Sequence, residues 1–137
     1  MVDYSRAPRS FATKVGLVLH TWRWFIIVRL RIGREPTPSL VASIGRTAHL
    51  RAHRQPPARL SRIVNRSLRL GFWRPTCLVN AIVLYRLLRE QGDPAELVIG
   101  LPEDATDHDA HAWVELGGLD VGPPPGRGRH IAMARFG

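Results

Sequence analysis

The chain has 137 residues, 45% of them hydrophobic and 23% charged, which suits one folded domain with an ordinary core and argues against disorder. Its one cysteine, Cys77, excludes an internal disulfide and a multi-cysteine zinc site and fits a reducing compartment such as the cytoplasm. The net charge of +9 is lopsided: residues 1–74 hold 15 Lys and Arg against 2 Asp and Glu, and residues 75–137 hold 5 against 9, so the halves carry +13 and −4; this speaks about partners rather than fold and turns the front half towards an acidic surface.

Residues 1–14 hold no apolar stretch of useful length, so no secretory signal is expected. Residues 15–33, VGLVLHTWRWFIIVRLRIG, keep apolar positions at helical spacing, interrupted by His20, Arg23, Arg29 and Arg31. The longest unbroken apolar run, 24–28, is far too short for the roughly 30 Å of a bilayer core. The segment reads as an amphipathic helix with two possible settings: packed on the core with Arg stems along its edge, or in peripheral contact with a membrane surface. Pro36 and Pro38 precede a weaker helix, 40–54, that ends at Gln55-Pro56-Pro57. A third helix, 58–70, carries Arg59, Arg62, Arg66 and Arg69 on one face. Neither interleaved aromatics nor a base-reading motif accompanies that stripe, so it reads as a solvated or partner-facing surface, and nucleic acid is not an expected partner.

Thr76 is a suitable N-cap for a helix over 78–91 that is apolar nearly all round and therefore buried, with Gly92 and Pro94 as its stop. Cys77 falls in its first turn. There the unsatisfied N–H groups and the helix dipole favour a thiolate, which makes Cys77 a candidate nucleophile; a buried structural thiol fits the same position. Residues 95–101 alternate as a strand, 102–109 form an acidic loop, 111–116 alternate again, and Gly117-Gly118 turns the chain into a third strand over 119–122. On the second strand His111, Trp113 and Glu115 share one face, and Ala112, Val114 and Leu116 the other. A histidine opening such a strand, near the N-terminus of a buried cysteine-bearing helix, has the layout for Cys/His catalysis, in which imidazole takes the thiol proton and delivers it to a leaving amine. The stretch Asp107-His108-Asp109-Ala110-His111 has metal-ligand residue types. With no helix to align His108 with His111 it reads as an acidic loop, and neither metal nor cofactor is expected.

Cys77-Leu78, the run AIVLYRLLREQGDPAELVIGL and the motif Ala110-His111-Ala112-Trp113-Val114-Glu115 resemble the transglutaminase-like cysteine peptidases that remove the leader from lasso-peptide precursors, in their split, stand-alone form. The likeness covers about residues 70–122. It implies an α+β fold with a papain/transglutaminase-like core, a buried Cys-bearing helix against a short antiparallel sheet, preceded by a helical N-terminal region. The chain is then a single domain, 1–137, made of a basic helical region, 1–74, and a catalytic core, 75–137. The resemblance implies Cys77 as nucleophile and His111 as general base and acid. It also implies a precursor peptide as substrate, a separate leader-recognition protein (a RiPP recognition element), and an ATP-dependent macrolactam synthetase, the lasso cyclase, that closes the ring afterwards. An acidic leader or partner docking on the +13 half would give the charge asymmetry a use.

That family completes a triad with a carboxylate roughly twelve residues beyond the histidine, and Pro123 stands there. Asp120 is the nearest acid and a candidate third member, with a solvated turn-side aspartate as the alternative reading, because a regular hairpin with a three-residue loop over 116–118 leaves it about 10 Å from His111. A bulge near Gly122 or a bend at residues 123–125 would be needed to bring it back. The backbone N–H of Cys77 offers one oxyanion donor, with Trp73, Asn80 and Trp113 as neighbours of the acyl site. Two other readings stay open: a different acyl transferase on the same scaffold, and a binding module that has lost catalysis, for which Pro123 is the main support.

Overall fold

Residues 78–90 offer apolar side chains in nearly every direction, and the structure, a computed structural model, puts that stretch at the centre of the molecule. The structure describes residues 11–46, 56–69, 76–102, 111–122 and 130–136. In chain order these form α1 (Phe11–Arg31), α2 (Thr37–Gly45), α3 (Pro57–Arg69), α4 (Cys77–Glu90), β1 (Glu96–Pro102), β2 (His111–Leu116), β3 (Leu119–Gly122) and β4 (His130–Phe136). The class is α+β, with the helices first and the sheet last, as the sequence predicts. No helix of the described residues is long and apolar enough to cross a membrane.

The reason α4 sits in the middle is the number of its neighbours. It packs on α1, α2 and α3 and also on β1 and β2. Val79, Ala81, Ile82, Val83, Leu84, Leu87 and Leu88 are each at most 1% exposed, and full burial of one such leucine or valine stabilises by about 1.5–3 kcal/mol. Leu17, Phe25 and Val28 of α1, Leu40, Val41 and Ile44 of α2, and Leu60, Val64 and Leu68 of α3 complete the core. At about 100° per residue each set falls on one helix face. The exposed positions of α3 include Arg62, Arg66 and Arg69, so the basic stripe faces outward.

Both ends of α4 are held. The hydroxyl of Thr76 accepts the N–H of Val79 at 3.3 Å, as a side-chain N-cap does. At the other end the N–H of Asp93 donates to the Leu88 carbonyl at 3.0 Å and that of Gly92 to the Arg89 carbonyl at 3.1 Å, with Gly92 at φ 94°. These are the paired bonds of a Schellman motif, and they turn the chain from α4 into β1 within a few residues.

The sheet order is β3-β2-β1-β4, with every neighbouring pair antiparallel. Leu116 pairs with Leu119, so the β2–β3 connection is the two residues Gly117 and Gly118, at φ 60° and 82°, rather than a three-residue loop. Positive φ at both positions matches a type I′ turn, whose twist suits the strands it joins. Leu97 of β1 and Ala112 and Val114 of β2 turn into the helical core. β4 pairs with the free side of β1 through a register shift between Ile99 and Gly100, a strand that the sequence pattern does not announce. The second helix also differs from expectation: α2 starts earlier, at Thr37, with Pro38 tolerated in its first turn, and ends at Gly45.

One polar cluster ties the helices together. Glu90 Oε2 lies 2.7 Å from His20 Nε2 of α1, and Glu90 Oε1 accepts from Arg86 Nε at 2.9 Å. Arg86 Nη1 also donates to the carbonyls of Ile44 and Arg46 at 2.9 and 2.6 Å, and its guanidinium lies 4.3 Å from the centre of the Trp24 ring. Burial pushes the Glu90 carboxyl up, but the hydrogen bonds and charges of His20 and Arg86 outweigh it and hold the group below the usual carboxylate range.

Candidate active site

Cys77 is the first residue of α4 and His111 the first residue of β2. β1 doubles back after the Schellman turn and β2 is antiparallel to β1, so β2 runs in the same direction as α4. A common level is given by Gly122, which pairs with Val114, leaves no room for a Cβ beside the Ser61 hydroxyl of α3, and lies within ordinary van der Waals reach of the Leu84 side chain of α4. From Leu84 back to Cys77 is about 10 Å of helix at 1.5 Å per residue, and from Val114 back to His111 about 10 Å of strand at 3.3 Å per residue. The thiol and the imidazole therefore belong to one end of the α4/β2 layer.

The pleat fixes the face of His111. The register of β2 on β1 is regular from His111 to Glu115, and Ala112 and Val114 are the residues that enter the core with α4. His111, Trp113 and Glu115 consequently stand on the opposite face. Cys77 itself is partly exposed, behind the Thr76 cap.

His111 is held by a row of side chains. Its ring stacks on Trp113 with centroids 5.7 Å apart and planes 19° from parallel, and both residues are buried, at 9% and 7% exposure. Trp113 Nε1 donates to Glu115 Oε2 at 2.8 Å, and Arg135 Nη1 of β4 donates to Glu115 Oε1 at 3.0 Å. Arg135 also reaches Glu96 at 3.6 Å. Its hydrogen bond and attraction to Glu115, with the Glu96 charge added, hold the guanidinium even more firmly protonated than usual. The alternation His-x-Trp-x-Glu makes part of this row legible in the sequence; Arg135 is not, because it arrives on the unannounced β4.

Asp120 pairs with Glu115, and the register then shifts so that Gly122 pairs with Val114. The extra residue, Val121, is a bulge of the kind invoked to rescue the triad, yet it lies on the far side of Asp120 and moves the carboxylate no nearer. Asp120 stands opposite a position four residues from His111, about 13 Å along the strand, and its exposed carboxylate accepts the N–H of Gly122 at 2.8 Å. The structure thus does not bring Asp120 to His111. Asn80 is buried and donates to Asn65 of α3 at 3.3 Å, which ties it to helix packing. Trp73, Pro123 and, apart from Pro102 at the end of β1, the acidic loop at 102–109 lie outside the described residues.

A thiol at a capped helix N-terminus with an imidazole at the adjoining strand end is the arrangement of thiol-dependent acyl chemistry on an α+β scaffold. The chain belongs to the transglutaminase-like superfamily, whose family model matches residues 18–132 and so includes most of α1, all of α2, α3 and α4, the strands β1 to β3 and the start of β4. That superfamily includes cysteine peptidases and acyltransferases. No curated protein and no solved structure matches the chain.

Proposed function

We propose that the protein is a cysteine peptidase that removes the leader from a ribosomally made lasso-peptide precursor. On this reading the Cys77 thiolate attacks the carbonyl at the end of the leader, and the backbone N–H of Cys77 stabilises the oxyanion. The C–N bond breaks as His111 gives its proton to the leaving amine, which is the new N-terminus of the core peptide. Water then hydrolyses the thioester, His111 takes a proton from it, and the sulfur leaves as thiolate. A separate leader-recognition protein presents the precursor in the cytoplasm, and a macrolactam synthetase closes the ring on the freed amine. Asp120 has no part in the step; the Trp113–Glu115–Arg135 row positions the imidazole.

The observation that carries the proposal is Cys77 in the first turn of a capped, enclosed helix, at the same end as His111, in a chain of this superfamily. The test mixes the protein with precursor peptide and recognition protein and follows leader release by mass. Wild type releases a leader acid and a core amine, Cys77→Ala and His111→Ala release neither, and Asp120→Ala works at nearly the wild-type rate. Release by the Cys77→Ala variant would sink the proposal, and a product heavier by an added amine would make the protein an acyl transferase instead.

The distance of Asp120 from His111 along the hairpin favours a second reading, a binding module that keeps the scaffold without the chemistry. Iodoacetamide separates the two: a peptidase cysteine alkylates near neutral pH much faster than a free thiol in a peptide, whereas the module's cysteine reacts no faster.

A further inference from the structure

The helix α1 has two apolar faces, and the fold uses one of them. Leu17, Thr21, Phe25 and Val28 are buried against the core. Val15, Leu19, Ile26 and Leu30 are 40%, 65%, 49% and 56% exposed, and at about 100° per residue they fall within an arc of about 60°. The stripe is about 22 Å long at 1.5 Å per residue. Arg23 and Arg29 border it on its two sides, both exposed, and among the described residues neither has an acidic partner. From residue 4 to residue 34 the sequence holds seven Lys and Arg and no Asp or Glu.

We propose that this face of α1 docks on an anionic lipid bilayer, lying in the plane of the headgroups with Val15, Leu19, Ile26 and Leu30 towards the acyl chains and Arg23 and Arg29 on phosphate. The core fixes the helix from behind, so the stripe is presented without any change of fold. An apolar ridge with cationic borders and no acid matches a surface that is negative outside and apolar beneath. A second copy of the chain fits less well, because pairing two such ridges brings Arg23 and Arg29 of one copy against those of the other. The helix is too short in unbroken apolar sequence to span, so the contact is peripheral. The proposal is independent of the chemistry at Cys77.

The test is sedimentation of the whole chain with vesicles of phosphatidylglycerol and phosphatidylcholine, beside vesicles of phosphatidylcholine alone. The wild type is expected to pellet with the anionic vesicles and to be released by salt. Leu19→Glu with Ile26→Glu, and separately Arg23→Glu with Arg29→Glu, should each weaken that partition by about tenfold or more. All four positions are exposed, so circular dichroism and thermal unfolding of the variants should match the wild type, which separates lost docking from lost folding. Three results would overturn the proposal: no pelleting, pelleting untouched by the substitutions, or equal binding to both kinds of vesicle. Failure to bind lipid together with a dimer in solution that Leu19→Glu disrupts would assign the face to a second copy, and failure together with salt-sensitive capture of an acidic polypeptide would assign it to a protein partner.

Discussion

α1 and α4 both carry apolar side chains round most of their circumference, yet among the described residues α4 is enclosed by three helices and two strands while α1 packs chiefly on α3 and α4, from one side, and reaches α2 through a hydrogen bond from Arg31 to Ser43. Periodicity reports how much apolar surface a helix offers; topology decides how much is covered. In α4, which lies between the helical layer and the sheet, every direction is met. In α1, at the rim, one face holds the core and the other holds a ridge with basic borders. The same kind of pattern thus yields a packing centre in one place and an outward surface in another.

The comparison is broken most severely at the contact between the two helices. Replacing Glu90 by Ala leaves His20 and Arg86 without the carboxylate they share, and a loss of about 3–5 kcal/mol is expected in urea unfolding at neutral pH. The pH dependence has a definite sign. Because the native carboxyl is held below the usual range, its stabilisation is full above the unfolded value, about 4.3, and is lost as the pH falls through the lower native value. The gap between wild type and Glu90→Ala should therefore close only in acid, and a gap that stays constant down to that range would contradict the assigned charge state.

A paired truncation sharpens the contrast directly. Leu84→Ala in α4 should lower stability by about 2–5 kcal/mol, whereas Leu19→Ala on the outer face of α1 should stay within about 0.5 kcal/mol. Equal losses would mean that α1 is covered where it stands exposed. A smaller effect is expected at the start of α4: Thr76→Ala removes the side-chain cap and should lower stability by about 1 kcal/mol, with Thr76→Ser restoring most of it.

The elements nearest the candidate site are the ones that local chemistry specifies best. Thr76, the near-continuous apolar run and Gly92 mark α4 almost to the residue, and strict alternation marks β2 and β3. What the pattern does not carry is pairing. HIAMARF is rich in alanine and alternates weakly, so β4 becomes a strand because β1 offers it an edge, and Arg135 comes with it. The bulge at Val121 likewise cannot be read from residue types, yet it decides where Asp120 lies. The face of His111 is legible from alternation alone, because Ala112 and Val114 are the residues that a helix can cover; which face α4 takes follows only once the layers are assembled. Residues 1–74 contain no motif, and still the family match begins at residue 18, since covering α4 needs apolar faces at the right spacing rather than particular side chains.

Arg86 gives the helical layer an index mark. Its planar group is gripped at once by the end of α2, the indole of Trp24 on α1 and Glu90 one turn along its own helix. Sliding either outer helix by a single turn, about 5.4 Å, would put a greasy side chain where that plane expects a carbonyl or a ring. Alternative stackings of the bundle are thereby made costly, and lengthening a loop between these helices leaves their alignment to this guanidinium and the apolar faces it sits among.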